Sequence, residues 1–217
     1  MKRPVHVAVV GGSGSGKTWI AEKLTADLAP HAVRLSLDDF YRDLSSLPME
    51  ERERANFDDP AALDWEIIRA AIGRMRTGSK IDLPLYDFAT HARKTGFRNF
   101  TTPPLVIWDG LWLLHHDWLR KQFAVSIFVD CDPEERFRRR AERDVRERGR
   151  TLESIRCQFF GHVQPMHDRF VEPQRRLVQI TLRSPANEAE IALLVHRLLK
   201  KCRLEVNPIS HDQISNS

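Results

Sequence analysis

One segment, Gly11-Gly12-Ser13-Gly14-Ser15-Gly16-Lys17-Thr18, restricts the fold more than any other part of the chain. It fits G-x-x-x-x-G-K-[ST] at every fixed position. It lies between the apolar run His6-Val7-Ala8-Val9-Val10 and a helical pattern from Trp19 to Leu28, the strand, loop and helix in which this motif has meaning. Glycines let backbone N–H groups turn inward around phosphate oxygens, and the helix N-terminus adds positive potential. Lys17 reaches the outer phosphates and the Thr18 hydroxyl can ligate magnesium. The expectation is a nucleoside triphosphate cradled by Gly11, Gly12, Ser13, Gly14, Ser15, Gly16, Lys17 and Thr18.

The rest of the chain reads as the sheet such a loop needs. Further apolar runs at 32–37, 105–108, 125–129 and 177–182 alternate with helical patterns, which predicts an α/β fold. It would be a doubly wound parallel sheet of about five strands with helices on both faces. Asp59-Pro60 opens a helix over Ala61–Met75 that Thr77-Gly78 ends, and Asp132-Pro133 opens another. Between Ile81 and Pro104, Pro84, Gly96 and Pro103-Pro104 break the pattern into extended pieces, predicting a hairpin-like excursion. The last helix, Asn187 to Cys202, is expected to turn Ile191, Leu193, Leu194, Val195, Leu198 and Leu199 to the core. No composition break divides the 217 residues, so residues 1–203 are expected to form one domain, with a disordered tail at 204–217.

Composition narrows the class. Cys131, Cys157 and Cys202 are odd in number and far apart, which argues against disulfides and structural zinc. Met1-Lys2-Arg3-Pro4 runs straight into the first strand without an apolar leader, so a cytoplasmic protein with no membrane partner is expected. The net charge of +4 is small, and the basic residues concentrate between Arg136 and Arg156.

Ligands of parallel α/β sheets bind beyond the carboxyl ends of the strands, where this chain places Asp38-Asp39, Asp109 and Asp130. Magnesium needs one or two carboxylates beside Thr18, and phosphoryl transfer needs a carboxylate at the attacking hydroxyl. Asp38 or Asp39 suits the second task and Asp109 the first; Asp38 also stands within the candidate metal set. On the helix from Pro133, the pairs Glu134–Arg138, Glu135–Arg139 and Glu142–Arg146 are spaced i,i+4 and account for three arginines as a solvated face. Arg136, Arg140, Arg143 and Arg150 form a separate stripe with Glu147, suited to a lid over a triphosphate.

Taken in order, these residues resemble the uridine-cytidine kinase family, within the wider phosphoribulokinase and pantothenate kinase group. The resemblance covers about residues 5 to 182. Its motifs are the phosphate loop; Leu37-Asp38-Asp39-Phe40-Tyr41-Arg42; Asn56-Phe57-Asp58-Asp59-Pro60; Pro84-Leu85-Tyr86-Asp87-Phe88-Ala89-Thr90-His91-Ala92-Arg93; Asp109-Gly110; and Glu142 through Arg150 followed by Gln158. It implies transfer of a phosphoryl group from ATP or GTP, with Mg2+, to the 5′-hydroxyl of uridine or cytidine, as in pyrimidine salvage. It implies Asp38 as the general base, Asp58 on the ribose hydroxyls, and Tyr86 and His91 at the base between Phe57 and Phe88. Lys17, Arg140 and Arg143 would then meet the transferring phosphoryl, and Arg150 and Gln158 the acceptor. Residues 81–104 become an acceptor-side excursion and 133–158 a lid, and a homo-oligomer is expected.

Two positions depart from the pattern: Asp39 stands for serine and Asp109 for glutamate, with bulky Trp108 and Trp112 nearby. A kinase of another ribosyl or small alcohol acceptor, such as nicotinamide riboside, is the nearest alternative. A regulatory nucleotide-binding protein lacks support, since neither N-K-x-D nor L-S-G-G occurs. A nucleic-acid partner would leave the acceptor-segment acids and aromatics without use. His115-His116 and His162 with His167 read as structural.

Overall fold

The computed structural model describes residues 3–77 and 80–203. The tail expected at 204–217, and Gly78 as a helix stop, lie outside the described residues. In chain order the regular elements are β1 (Val5–Val10), α1 (Lys17–Asp27), β2 (Ala32–Ser36), α2 (Met49–Glu53), α3 (Trp65–Arg76), β3 (Lys80–Asp87) and β4 (Ala92–Thr101). Next come β5 (Leu105–Gly110), α4 (Asp117–Arg120), β6 (Phe123–Asp130), α5 (Pro133–Arg148), α6 (Leu152–Gln158), α7 (Gln164–Met166), β7 (Ile180–Arg183) and α8 (Glu188–Cys202).

The sheet is all parallel in the order β2-β5-β1-β6-β7, so β1, which feeds the phosphate loop, lies at its centre. Burial follows the two-residue period of strands. Val7, Val9, Leu105, Ile107, Val125 and Ile127 point to one face, under α1 and α8. Ala8, Val10, Val106, Trp108 and Phe128 point to the other, where Leu63, α3 and the antiparallel pair β3-β4 cover them. Each fully buried Val, Leu or Ile contributes about 1.5–3 kcal/mol. Trp108 belongs to this second core: its indole Nε1 donates to His6 Nδ1 at 3.0 Å and its ring stacks on Phe40. Burial pushes the His6 imidazole down to about 4, which keeps it neutral and able to accept that hydrogen bond.

Four local expectations are corrected. The helix expected over Ala61–Met75 begins at Trp65. Asp59 accepts from Ala61 N but caps only the single 3-10 turn Pro60–Ala62, and Asp64 caps α3 by accepting from Ile67 N. Between them Leu63 is extended, wholly buried, and bridged to Tyr41, a core contact that a continuous helix would remove. The last strand starts at Ile180, not Leu177, because Glu172–Leu177 closes as a 3-10 segment. Asn187 is the cap of α8, in a reciprocal box with Glu190. Leu193 is 69% exposed, since it lies about 200° round the helix from Ile191, while Leu194 and Leu198 share the buried stripe.

On α5 the outer pairing also differs in partners. Glu135 receives both Arg138 and Arg139, Arg138 also reaches Glu142, and Arg146 pairs with Glu147. The Glu135–Arg139 pair is as expected. Arg138 takes Glu135 and Glu142 in place of Glu134, because i,i+3 and i,i+4 partners compete for one guanidinium on an exposed face.

Candidate active site

The phosphate loop is shaped by what stands behind it. Gly14 and Gly16 have φ of +80° and +91°, and a Cβ at Gly14 would overlap the Arg136 carbonyl oxygen in the first turn of α5. Only glycine permits both the backbone turn and that approach. Ser15 N donates to Gly12 O at 3.1 Å, closing the loop. Lys17 Nζ lies 3.4 Å from the same carbonyl, a long contact. Burial pulls the Lys17 ammonium below its ordinary range, while Asp38 and Asp109 oppose that shift.

Thr18 Oγ1 donates to Asp109 Oδ2 at 3.0 Å. Its proton is thereby committed to the acid, and the oxygen lone pairs are left for a cation, so Thr18 fits a magnesium ion held between loop and phosphates. Asp109 is 2% exposed, and Arg34 from β2 donates to both its oxygens, from Nε at 2.8 Å and Nη2 at 3.2 Å. Arg34 was not among the residues singled out by sequence. Its 75-residue separation from Asp109 leaves no local signal, and only the β2-β5 pairing brings them together.

Asp38 sits in the 3-10 turn Leu37–Phe40 that follows β2, where its N–H donates to Ser36 Oγ. A Cβ at Gly110 would strike the Leu37 side chain, so Asp109-Gly110 lets β5 close against this turn. Burial pushes the Asp38 carboxyl up to about 6; Lys17 opposes the rise, and Asp109 and Asp39 add to it. Asp39 meets Arg98 of β4 at 3.6 Å, and burial raises it too. Asp130 is occupied elsewhere, accepting from Arg175 Nη2 at 2.6 Å. The Asp58 carboxyl is raised by burial, with Arg140 and Lys17 foremost in opposing the rise.

The arginine stripe separates into two tasks. Arg140, 7% exposed, donates to Ser13 Oγ at 2.9 Å and to Gln158 Oε1 at 3.1 Å. Arg150 donates to the same Gln158 oxygen, so Gln158 ties α5 to α6. At the centre is Asp144, fully buried: Arg143 reaches Oδ1 through Nη2 at 2.8 Å, Arg140 Nε lies 3.5 Å from Oδ2 and Arg150 Nη1 at 4.0 Å. Asp144 was not assigned a role from sequence, although its spacing from Arg140 and Arg143 is local and readable. Arg136, 1% exposed, donates to Gln164 and faces the Phe159 ring, with its Nη1 against Gly12 of the phosphate loop.

The acceptor-side aromatics form one cluster. Tyr86 lies with its ring 5.4 Å from Tyr41 and 5.2 Å from the half-exposed Phe88, and Phe57 stacks on His91 at 4.6 Å and 18°. Phe57 and His91 therefore lie against each other. His91 adopts φ +51° in the β3-β4 turn, which presents its ring to Phe57. Two arginines missed by sequence hold this region. Arg93 donates to Tyr41 O at 3.1 Å and to Asp64 at 3.0 Å, and Arg52 donates to Ser45, Leu47 and Thr90 carbonyls. Gln174 fastens the 3-10 segment Glu172–Leu177 to the loop after β5, accepting from Leu114 N at 2.8 Å and donating to Leu111 O and Phe170 O. His115 and His116 pack with Trp65, Trp118 and Phe170, and no group of three metal-ligating side chains occurs among the described residues.

A phosphate loop after a central parallel strand, acids at the neighbouring strand ends and an arginine helix across the loop define a P-loop phosphotransferase. The match to the Phosphoribulokinase / Uridine kinase family spans residues 6–188, and the chain belongs to that family. A uridine kinase of Deinococcus deserti is 37% identical over 198 residues, covering 90% of this chain and 96% of its own. One from Chloroflexus aggregans is 39% identical over 178 residues, 82% and 85% of the two chains. Among solved structures, phosphoribulokinase from Rhodobacter spheroides superimposes with a TM-score of 0.63 at 18% identity, over 84% of this chain and 71% of that one. This chain is a kinase. Among the described residues no helix is long and apolar enough to cross a membrane.

Proposed function

We propose that this kinase moves the γ-phosphoryl group of ATP, or of GTP, to the 5′-hydroxyl of a pyrimidine ribonucleoside, converting uridine or cytidine to its monophosphate. Asp38 carries the reading. A carboxyl tuned toward 6 by burial, opposed by Lys17, suits a group that must accept a proton near neutrality. Asp38 orients the acceptor hydroxyl and takes its proton as the new O–P bond forms and the bond to the bridging oxygen breaks, releasing ADP. Lys17, Arg140 and Arg143 neutralise charge on the equatorial phosphoryl oxygens. Asp58 accepts from the two ribose hydroxyls, a pairing that favours a cis-diol. Tyr86, His91, Phe57 and Phe88 take the base, which requires the Phe57–His91 stack to open. Arg150 and Gln158 close the acceptor side.

Thr18 would hold the magnesium ion, with Asp109 accepting the Thr18 proton; when bound, the ion supplies positive charge to the phosphate oxygens. The names of the relatives support a uridine-type acceptor, and in this reading residues 1–203 work as one unit in pyrimidine salvage. The test is release of ADP from ATP, or of GDP from GTP, across nucleosides and other small alcohols. Uridine and cytidine should give the highest kcat/KM. Faster turnover of nicotinamide riboside or of a non-nucleoside alcohol would overturn the assignment.

A further inference from the structure

Asp109 has its two oxygens engaged by a two-pronged guanidinium, and one of them also accepts from Thr18. A carboxylate offers about four lone-pair sites, and three are filled here at 2.8, 3.0 and 3.2 Å. Arg34 is fixed in place. It stands opposite Ile107 in the β2-β5 register, two residues before Asp109 on the same sheet face. Its Nη1 lies 3.4 Å from Glu22 of α1, and its carbonyl accepts from Arg98. The core does not require this side chain, because β2 packs through Val33 and Leu35. It is a built-in cation directed at the acid expected beside the metal.

We infer that Arg34 is a positioning residue that holds Asp109 as the acceptor for the Thr18 proton and keeps it out of the direct ligand set of the divalent cation. This rests on the reading of Thr18 as the metal-binding position. With Asp109 capped and its charge matched, the site would offer the ion Thr18, phosphate oxygens and water, with Asp38 as the one remaining carboxylate of the candidate set. Mg2+ accepts that set readily because it keeps most of its waters, whereas Mn2+ and Ca2+ gain more from a carboxylate. Arg34 thus biases the site toward hydrated magnesium.

The experiment measures Mn2+ binding by the full chain with a non-hydrolysable ATP analogue, reading free Mn2+ by electron paramagnetic resonance, with Mg2+ competition. Arg34→Met should tighten Mn2+ by about fivefold or more, as an uncompensated carboxylate adds its charge to the site, and should reduce the advantage of Mg2+. Adding Asp109→Asn to Arg34→Met should erase the gain. Arg34→Lys keeps the charge without the fork and should show a smaller gain of the same sign, which carries the comparison if the Met variant does not fold. Unchanged or weaker Mn2+ binding in a folded variant, or a gain that survives Asp109→Asn, overturns the inference. The readout needs no acceptor, so failure of every nucleoside in the turnover assay would sink the proposed reaction while leaving this comparison to stand or fall separately.

Discussion

The two flanks of the phosphate loop are both built from arginines and buried aspartates, yet they are assembled in opposite ways. On the lid flank, Asp144 gathers Arg140, Arg143 and Arg150 from within eleven residues of chain. On the strand-end flank, Asp109 is met by Thr18 and Arg34 from α1 and β2, and Asp39 by Arg98 from β4. A cluster made by one helix and its following turn can move as a piece. One made from a helix and strands of two sheets is fixed once those elements have packed together. The donor side of the reaction thus combines a rigid floor with a cover held together internally.

The largest expected effect belongs to the floor. Asp38→Asn should lower kcat by about 100- to 10,000-fold in an ADP-release assay, the range for losing a general base. The same variant should be at least as stable as the parent at pH 8 in thermal melts. The folded carboxyl is raised from 3.8 to about 6, so its stabilising contribution is complete only below about 4 and is lost as pH rises through 6. A normal kcat would remove Asp38 from the chemistry. For the parent enzyme the same shift predicts kcat/KM falling as pH drops through about 6; a flat profile to pH 5 would contradict it.

The cover is probed by Asp144→Asn, which leaves the buried Arg140 and the partly exposed Arg143 and Arg150 without their shared anion. A loss of about 3–5 kcal/mol is expected in urea unfolding, together with a weaker hold on nucleotide. A loss under about 1 kcal/mol would mean that the cluster does not organise the lid. Arg93→Met comes next. By releasing Tyr41 and Asp64 it should raise the acceptor KM by about tenfold, some 1.4 kcal/mol, with the nucleotide KM unchanged; equal changes in both would break the division between flanks. The smallest effect should come from Arg138→Ala on the outer face of α5. Its side chain is 57% exposed and its pairs with Glu135 and Glu142 are solvated, so stability should change by less than about 1 kcal/mol.

How much could be read in advance follows the same division. The loop Gly11–Thr18, the five strands and the stripe Arg140, Arg143 and Arg150 are local patterns, and local patterns are visible in a sequence. Asp144 is legible by the same spacing, four residues from Arg140 and next to Arg143. Arg34, Arg52 and Arg93 act across folds of the chain, and nothing near them in sequence names a partner. The start of α3 was misplaced because Asp59 and Asp64 are both good caps; the choice was made by Leu63, whose burial against Tyr41 needs extended backbone.

One feature of the loop has a mechanical side. Gly14 lies against the backbone of the first turn of α5, with Arg136 wholly buried beneath the helix. The first turn of α5 is therefore seated on the loop. Further along, Gly149 ends the helix at φ +61° with open space beside it. The loop and that first turn hold each other, so whatever shifts one shifts the other.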